Sequence, residues 1–423
     1  MHEQLEHCHR YVIRFIGVES GRRRNAHPFS RETVLALASV LALWSGASAR
    51  AADLPQVVPG ADASPVLTVD RVDISRRRER QLLGPGGRAA LYAVATARQP
   101  FNPDAEPLIL VHGLVGSAAE LSSVVERLDG AFQPYLMLYD DLGRRTSLSG
   151  DDLAAAIARR ARGEWRGRDV TIVAHSLGGI VARRALDRLA LDPGHSLEAL
   201  GRVRLVAVDS PWHGFAGPSD RGAGRAAMAL VRPLLPDGLE DMRARSSLFV
   251  GDPGSEDATE RAGLFGVALP DSVVIDLVFA ARGAQVLDYT EGVLAQLPAA
   301  IAAWYAHDQP VRGEQRIVNY WRALLSSSNF AAFREELEPL ARAGRLEAAA
   351  VSLALARHFP RFAGDHVSVL AAGSGLIDHL AVTLSAGAAP RPTLALSGPP
   401  VLARRDHGQR PIPALLPTWS ASR

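Results

Sequence analysis

An α/β fold built on a mainly parallel sheet is predicted for this chain by three features of its sequence. Between residues 105 and 215, short, mostly apolar runs alternate with segments of helical spacing. The runs show no regular alternation of polar residues, as expected of strands covered on both faces. One of them, 170–174, leads straight into His175-Ser176-Leu177-Gly178-Gly179, where a strand, a tight turn and a helix follow one another with small residues on each side of a serine.

In chain order, residues 67–74 and 81–97 read as strands around the turn-forming Gly84-Pro85-Gly86-Gly87. Residues 108–111 form a short buried strand, and 120–128 have helical spacing. Strand 135–139 is followed by helix 149–161, strand 170–174 by helix 179–189, and strand 203–208 completes the series. Past Phe215 the rhythm breaks. Residues 216–270 are rich in Gly, Pro, Arg and Asp and read as an insertion over the end of the sheet, suited to a lid. Residues 272–280 resume strand character, and 290–360 read as a helical insertion. A single domain is therefore expected over 52–385, with a loosely ordered, proline-rich tail over 386–423.

Composition narrows the classes. Of 423 residues, 47% are hydrophobic and 22% charged, the balance of a globular chain with a sizeable core. The 47 basic residues, all arginine, are set against 45 acids, and they are scattered rather than gathered into a stripe with interleaved aromatics. No nucleic-acid partner is expected. The one cysteine, Cys8, precedes an apolar run over 34–49 that follows arginines at 22–24 and 31 and ends in Ala47-Ser48-Ala49 and Ala49-Arg50-Ala51. A positive region, an apolar region and an A-x-A site are the order of a secretory signal. Residues 1–51 are thus expected to be a leader and signal peptide, with the mature chain periplasmic or secreted; an uncleaved membrane anchor is the alternative. That mature chain would hold no disulfide, thiolate metal site or catalytic cysteine.

The chemistry centres on Ser176. A nucleophile on a sharp turn needs neighbours without bulk, because strand and helix approach closely there. Ala174 and Gly178 supply this, with Ala174 at a position where the motif usually has glycine. The following helix points its positive end at the site. An oxyanion would need backbone donors. The turn His112-Gly113-Leu114-Val115-Gly116, at the end of another buried strand, offers the N–H of Leu114, and the N–H of Leu177 follows the serine. His112 is read as shaping that turn rather than as a base. The bland alternative for Ser176 is a helix cap beside a coincidental glycine.

The Val-His-Gly-Leu turn, the Ala-His-Ser-Leu-Gly-Gly elbow and Ser210-Pro211-Trp212-His213-Gly214 after the next strand occur in the order and spacing of the α/β-hydrolase superfamily. The chain resembles that superfamily's lipase and esterase branch over about residues 105–215, and more thinly to His366. The resemblance implies an α/β-hydrolase fold, no cofactor or metal, and a small-molecule or lipid ester as substrate, with transient contact with a membrane surface. It also implies the order nucleophile, acid, histidine. His366, in Gly364-Asp365-His366-Val367-Ser368, fits the late histidine, with His358 and His379 as alternatives. For the acid, Asp288 follows the strand at 272–280 and is the first choice. Asp209, at the end of the preceding strand, is the alternative, and Asp308, Glu291 and Asp276 are lesser candidates. Carboxylic ester cleavage is the expected chemistry. Amide or thioester hydrolysis, acyl transfer, or a non-catalytic binding role on the same fold are the rivals.

Overall fold

The computed structural model describes residues 56–58, 65–72, 74–127, 130, 132–214, 241–243, 245–281, 315–366, 368–371 and 373–385. The expected leader, the tail and Asp288 lie outside them. All described residues fall within one of two compact units, that formed by Ser48–Gly217 and Leu234–Arg423.

The strands are β1 (Gln56–Val58), β2 (Val66–Thr68), β3 (Ala90–Ala95), β4 (Glu106–Val111), β5 (Phe132–Leu138), β6 (Val170–His175), β7 (Val203–Val208), β8 (Val273–Ala280) and β9 (Arg361–Phe362). Among the described residues they form one sheet in the order β1-β2-β3-β5-β4-β6-β7-β8-β9. From β5 to β9 every neighbouring pair is parallel, and the antiparallel pairs are β1–β2 and β3–β5.

Alternate residues of each apolar run enter different cores, which is why the runs show no regular polar face. In β4, Ile109 and Val111 join one cluster, Leu108 and Leu110 the other. In β7, Val203, Leu205 and Ala207 lie opposite Val206 and Val208. The first core is closed by α3 (Thr146–Ala161) and α4 (Leu177–Ala190), and by α8 (Gln315–Leu325), α9 (Ser328–Arg342) and α10 (Ala348–His358). The second is closed by α2 (Ser122–Arg127) and α11 (Leu376–Ser385). Short helices α5 (Ser196–Ala199), α6 (Ser247–Val250) and α7 (Ala258–Ala262) connect the rest.

Two early assignments are corrected: the strand read over 67–74 ends at Thr68, and the one read over 81–97 begins late. Residues 76–82 form a helix, α1 (Arg76–Leu82), so the strand read over 81–97 begins only at Ala90. The helix buries Glu79 near the sheet's edge and carries Arg76 to Asp141, and these charged contacts outweigh the weak extended signal of Gln81-Leu82-Leu83.

The chain passes from β4 outward to β5, then crosses back over β4 to β6, β7 and β8. Strand order thus reverses between β4 and β6, and the carboxyl ends of those strands bound the crevice where open α/β sheets place ligands.

Candidate active site

Ser176 sits at the carboxyl end of β6 with φ 52° and ψ −124°, outside the conformations open to most L-residues. The surroundings hold it there. Its N–H donates to the Val208 carbonyl at 2.9 Å, and the Gly179 N–H closes the turn onto the Ser176 carbonyl at 3.0 Å. A Cβ on Gly178 would lie 2.5 Å from the Val111 carbonyl oxygen, and one on Gly113 would lie 2.8 Å from the Ser176 Cβ. Glycine at these two positions is therefore a condition of the close approach of β4 and α4.

His366 Nε2 lies 2.8 Å from Ser176 Oγ, and His366 Nδ1 lies 2.6 Å from Asp209 Oδ2. An ionised carboxylate can only accept, so Nδ1 donates to Asp209 and Nε2 is left to accept from the serine hydroxyl. The three side chains thus form one continuous hydrogen-bonded row. Asp209 follows the last residue of β7 and has φ 46°. Its N–H donates to the Val278 carbonyl at 2.7 Å, and its Oδ1 accepts from the Ala280 N–H at 3.3 Å, so its carboxylate is aimed from both sides.

Of the two aspartates considered for the acid, the described residues include only the alternative, Asp209. Asp288 lies outside the described residues, and the oxygen at His366 Nδ1 belongs to Asp209. The other candidates serve elsewhere: Asp276 pairs with Arg204 at 2.6 Å, His358 with Glu336 at 2.7 Å, and His379 lies against Thr383 and Phe362. Asp308 and Glu291 lie outside the described residues.

His366 is placed by a small knot in its loop. β9 pairs with the end of β8, Asp365 N–H donates to Ser368 Oγ at 2.9 Å, and Ser368 N–H donates back to Asp365 Oδ1 at 2.8 Å. These local bonds around the histidine were not read from the sequence.

The turn after β4 is anchored from behind by three carboxylates. Gly113 N–H donates to Glu120 Oε1 at 2.7 Å, Val115 N–H to Asp141, and Ala118 N–H to Glu79. Leu114 stands between two residues whose N–H groups are turned to these acids, and Leu177 opens α4, where the first N–H groups have no partner within the helix. Burial pushes the Glu79 carboxyl above its ordinary range, offset in part by His112 and the Ala118 N–H. Burial also raises Asp141, against the pull of Arg76, His112 and the Val115 N–H. His112 itself is buried and stacks on Tyr139 with ring centroids 4.4 Å apart. Its Nδ1 donates to the Gly113 carbonyl at 2.9 Å and its Nε2 lies 3.4 Å from Glu79, so it is occupied in the turn.

Residues 105–231 match the family model described as "Putative serine esterase (DUF676)". Among solved structures, the chain is similar to a Bacillus licheniformis lipase in its propeptide form, at 16% identity and a TM-score of 0.32, over 48% of this chain and 41% of that one. A second similar structure is the Vlm2 thioesterase domain, at 13% identity and a TM-score of 0.34, over 69% of this chain and 96% of that one. A third is Aspergillus fumigatus lipase B, at 15% and 0.30, over 54% and 47%. The match thus spans under half the length of the Bacillus lipase form. No curated protein matches the chain. Sheet order and the elbow are those of the α/β-hydrolase fold, and the family match covers the segment that carries the elbow and the turn after β4.

Proposed function

We propose that this protein is an exported serine esterase that cleaves carboxylic esters through an acyl-enzyme. The observation that carries the reading is the row Ser176 Oγ–His366–Asp209, with separations of 2.8 and 2.6 Å, on a serine at φ 52°. In the first step His366 Nε2 takes the hydroxyl proton as Ser176 Oγ attacks the ester carbonyl, and Asp209 stabilises the imidazolium that forms. The N–H groups of Leu114 and Leu177 face the oxyanion. The proton passes from His366 to the departing alcohol. Water, deprotonated by the same nitrogen, then attacks the acyl group and returns the serine. No step needs a metal or cofactor.

Export is supported by the apolar run over 34–49 behind its arginines and the small-residue sites that end it. Amino-terminal sequencing of protein from its native host tests this, with a start between Arg50 and Asp53 expected and an intact cytoplasmic leader counting against it. For the activity, a fluorophosphonate probe and p-nitrophenyl esters of graded chain length are the assay. Wild-type protein should be labelled and should turn over at least one ester, and Ser176→Ala should do neither while keeping its fold. Turnover by pure Ser176→Ala would refute the reading.

A further inference from the structure

The residue before the serine is a histidine that the acyl-transfer steps do not use. His175 is buried, and its ring lies 4.9 Å from that of His366, centroid to centroid. Its Nε2 is 2.7 Å from the backbone carbonyl oxygen of His366. A carbonyl only accepts, so His175 Nε2–H is the donor and holds the main chain of the base rather than its ring. The other ring nitrogen, Nδ1, is buried without a hydrogen-bond partner and faces Glu120 Oε1 at 3.5 Å, an ion-pair contact when the ring carries both protons. That same oxygen accepts the Gly113 N–H at 2.7 Å, one residue before Leu114. Burial acts to raise the Glu120 carboxyl, but His175, His112 and the Gly113 N–H outweigh it and hold the group below its ordinary value. Gly116 keeps the space for this carboxylate, since a Cβ there would lie 2.6 Å from Glu120 Oε1.

We infer that His175 and Glu120 are positioning residues forming one link, His366 carbonyl–His175–Glu120–Gly113 N–H, that sets the loop carrying the base in register with the turn carrying the oxyanion donor. The two loops are far apart in sequence and hang from different strands, β4 and β9. Each must lie correctly relative to Ser176 at the same moment, and misplacement of a reacting group by about 1 Å costs on the order of 10²-fold in rate. The link passes through the residue adjoining Ser176, so all three parts share one reference point. The inference rests on the esterase reading of the same site.

The test compares wild type with His175→Phe, which keeps the ring and its stacking but loses the donor, and with His175→Gln, whose side-chain amide restores a donor towards the His366 carbonyl. His175→Phe should lower kcat and the rate constant of fluorophosphonate labelling in parallel, by about 10- to 100-fold, with KM little changed. His175→Gln should recover most of that loss. In a cycle with Glu120→Gln, the double variant should cost no more than the worse single one, because both changes break one link. A histidine that only supports the fold would lower the melting temperature and leave the labelling rate of the folded fraction at the wild-type value. That result, or additive losses in the cycle, would overturn the inference. Should His175→Phe not fold, His175→Asn, whose amide is too short to reach the carbonyl, carries the same expectation. If wild-type protein is not labelled at all, the esterase reading fails and the link falls with it. If wild type is labelled and His175→Phe is labelled equally fast, the link alone fails.

Discussion

Ser176 and Asp209 stand at the ends of adjacent parallel strands and are joined through the backbone, because the Ser176 N–H donates to the carbonyl of Val208, the residue before the aspartate. Both have positive φ, 52° and 46°, without being glycine. Two strained strand ends thus present a hydroxyl and a carboxylate to opposite nitrogens of one imidazole. Asp209→Asn separates charge from shape at this point. Its Oδ1 would keep the Ala280 N–H, leaving the amide NH2 to face His366 Nδ1. That nitrogen would then have to accept, and the proton would move to Nε2, where it blocks abstraction from Ser176. Turnover should fall by about 10³- to 10⁴-fold with little change in melting temperature, and Asp288→Asn should remain near wild type. Steady-state kinetics on the two variants checks this; the reverse pattern would return the role to Asp288.

The strain at Ser176 should be measurable apart from activity. A residue held in a sparsely populated backbone region costs about 1–3 kcal/mol, and glycine relieves it. Ser176→Gly and Ser176→Ala should both be inactive, yet the glycine variant should unfold at higher temperature or denaturant than the alanine variant. Equal stabilities would show the elbow to be unstrained.

Most of the sheet was legible because a strand covered on both faces has no polar position to hide: 203–208 was read to the residue, and 170–174 and 272–280 to within one. The elbow was legible because close approach of strand and helix restricts residue size on both sides of Ser176. Which carboxylate meets His366 was not, since one at either of two strand ends satisfies the sequence order, and the path of the His366 loop from β9 brings Asp209 to it. Helix α1 was missed for a related reason. Its stability comes from contacts of Arg76 and Glu79 with residues 39 to 65 positions away, which local spacing does not show.

Asp257 gives a pH dependence with a defined sign. It precedes α7 and accepts the N–H groups of Thr259 at 2.8 Å and Glu260 at 3.1 Å, and its other oxygen pairs with Arg188 on α4. Burial acts to raise its pKa, but the two N–H groups and Arg188 outweigh it and hold it down from 3.8 to about 2. A folded-state value below the unfolded one stabilises fully above the ordinary aspartate range, and the contribution is lost as the pH falls towards 2. Asp257→Asn should therefore lower the urea midpoint at pH 6, with the gap from wild type closing between pH 4 and 2. A gap constant over that range would mean that the charge of Asp257 plays no part.

The segment around that cap bears on how the site is covered. Residues 216–270 were expected to form a lid, yet the described part from 245 onward is built into the body of the fold. Phe249 and Leu264 are buried in the first core, and Leu264 N–H donates to the Leu248 carbonyl at 2.6 Å. Phe265 is gripped from α4: the Arg183 guanidinium lies 4.7 Å from its ring centroid, and the Phe265 N–H donates to the buried Asp187 carboxylate at 3.3 Å. The Phe265 ring also meets Trp212 edge-on at 5.5 Å, three residues past Asp209, so this segment braces the turn after Asp209. Such contacts make local opening costly. Backbone amides of 247–250 and 258–266 should exchange as slowly as those of β6 and β7, and a covalently bound phosphonate should leave their rates unchanged. Hydrogen exchange followed by mass spectrometry, with and without the phosphonate, decides it. Marked slowing of 247–266 on labelling would mean that this segment opens and closes over Ser176 and would restore the lid to its full expected length.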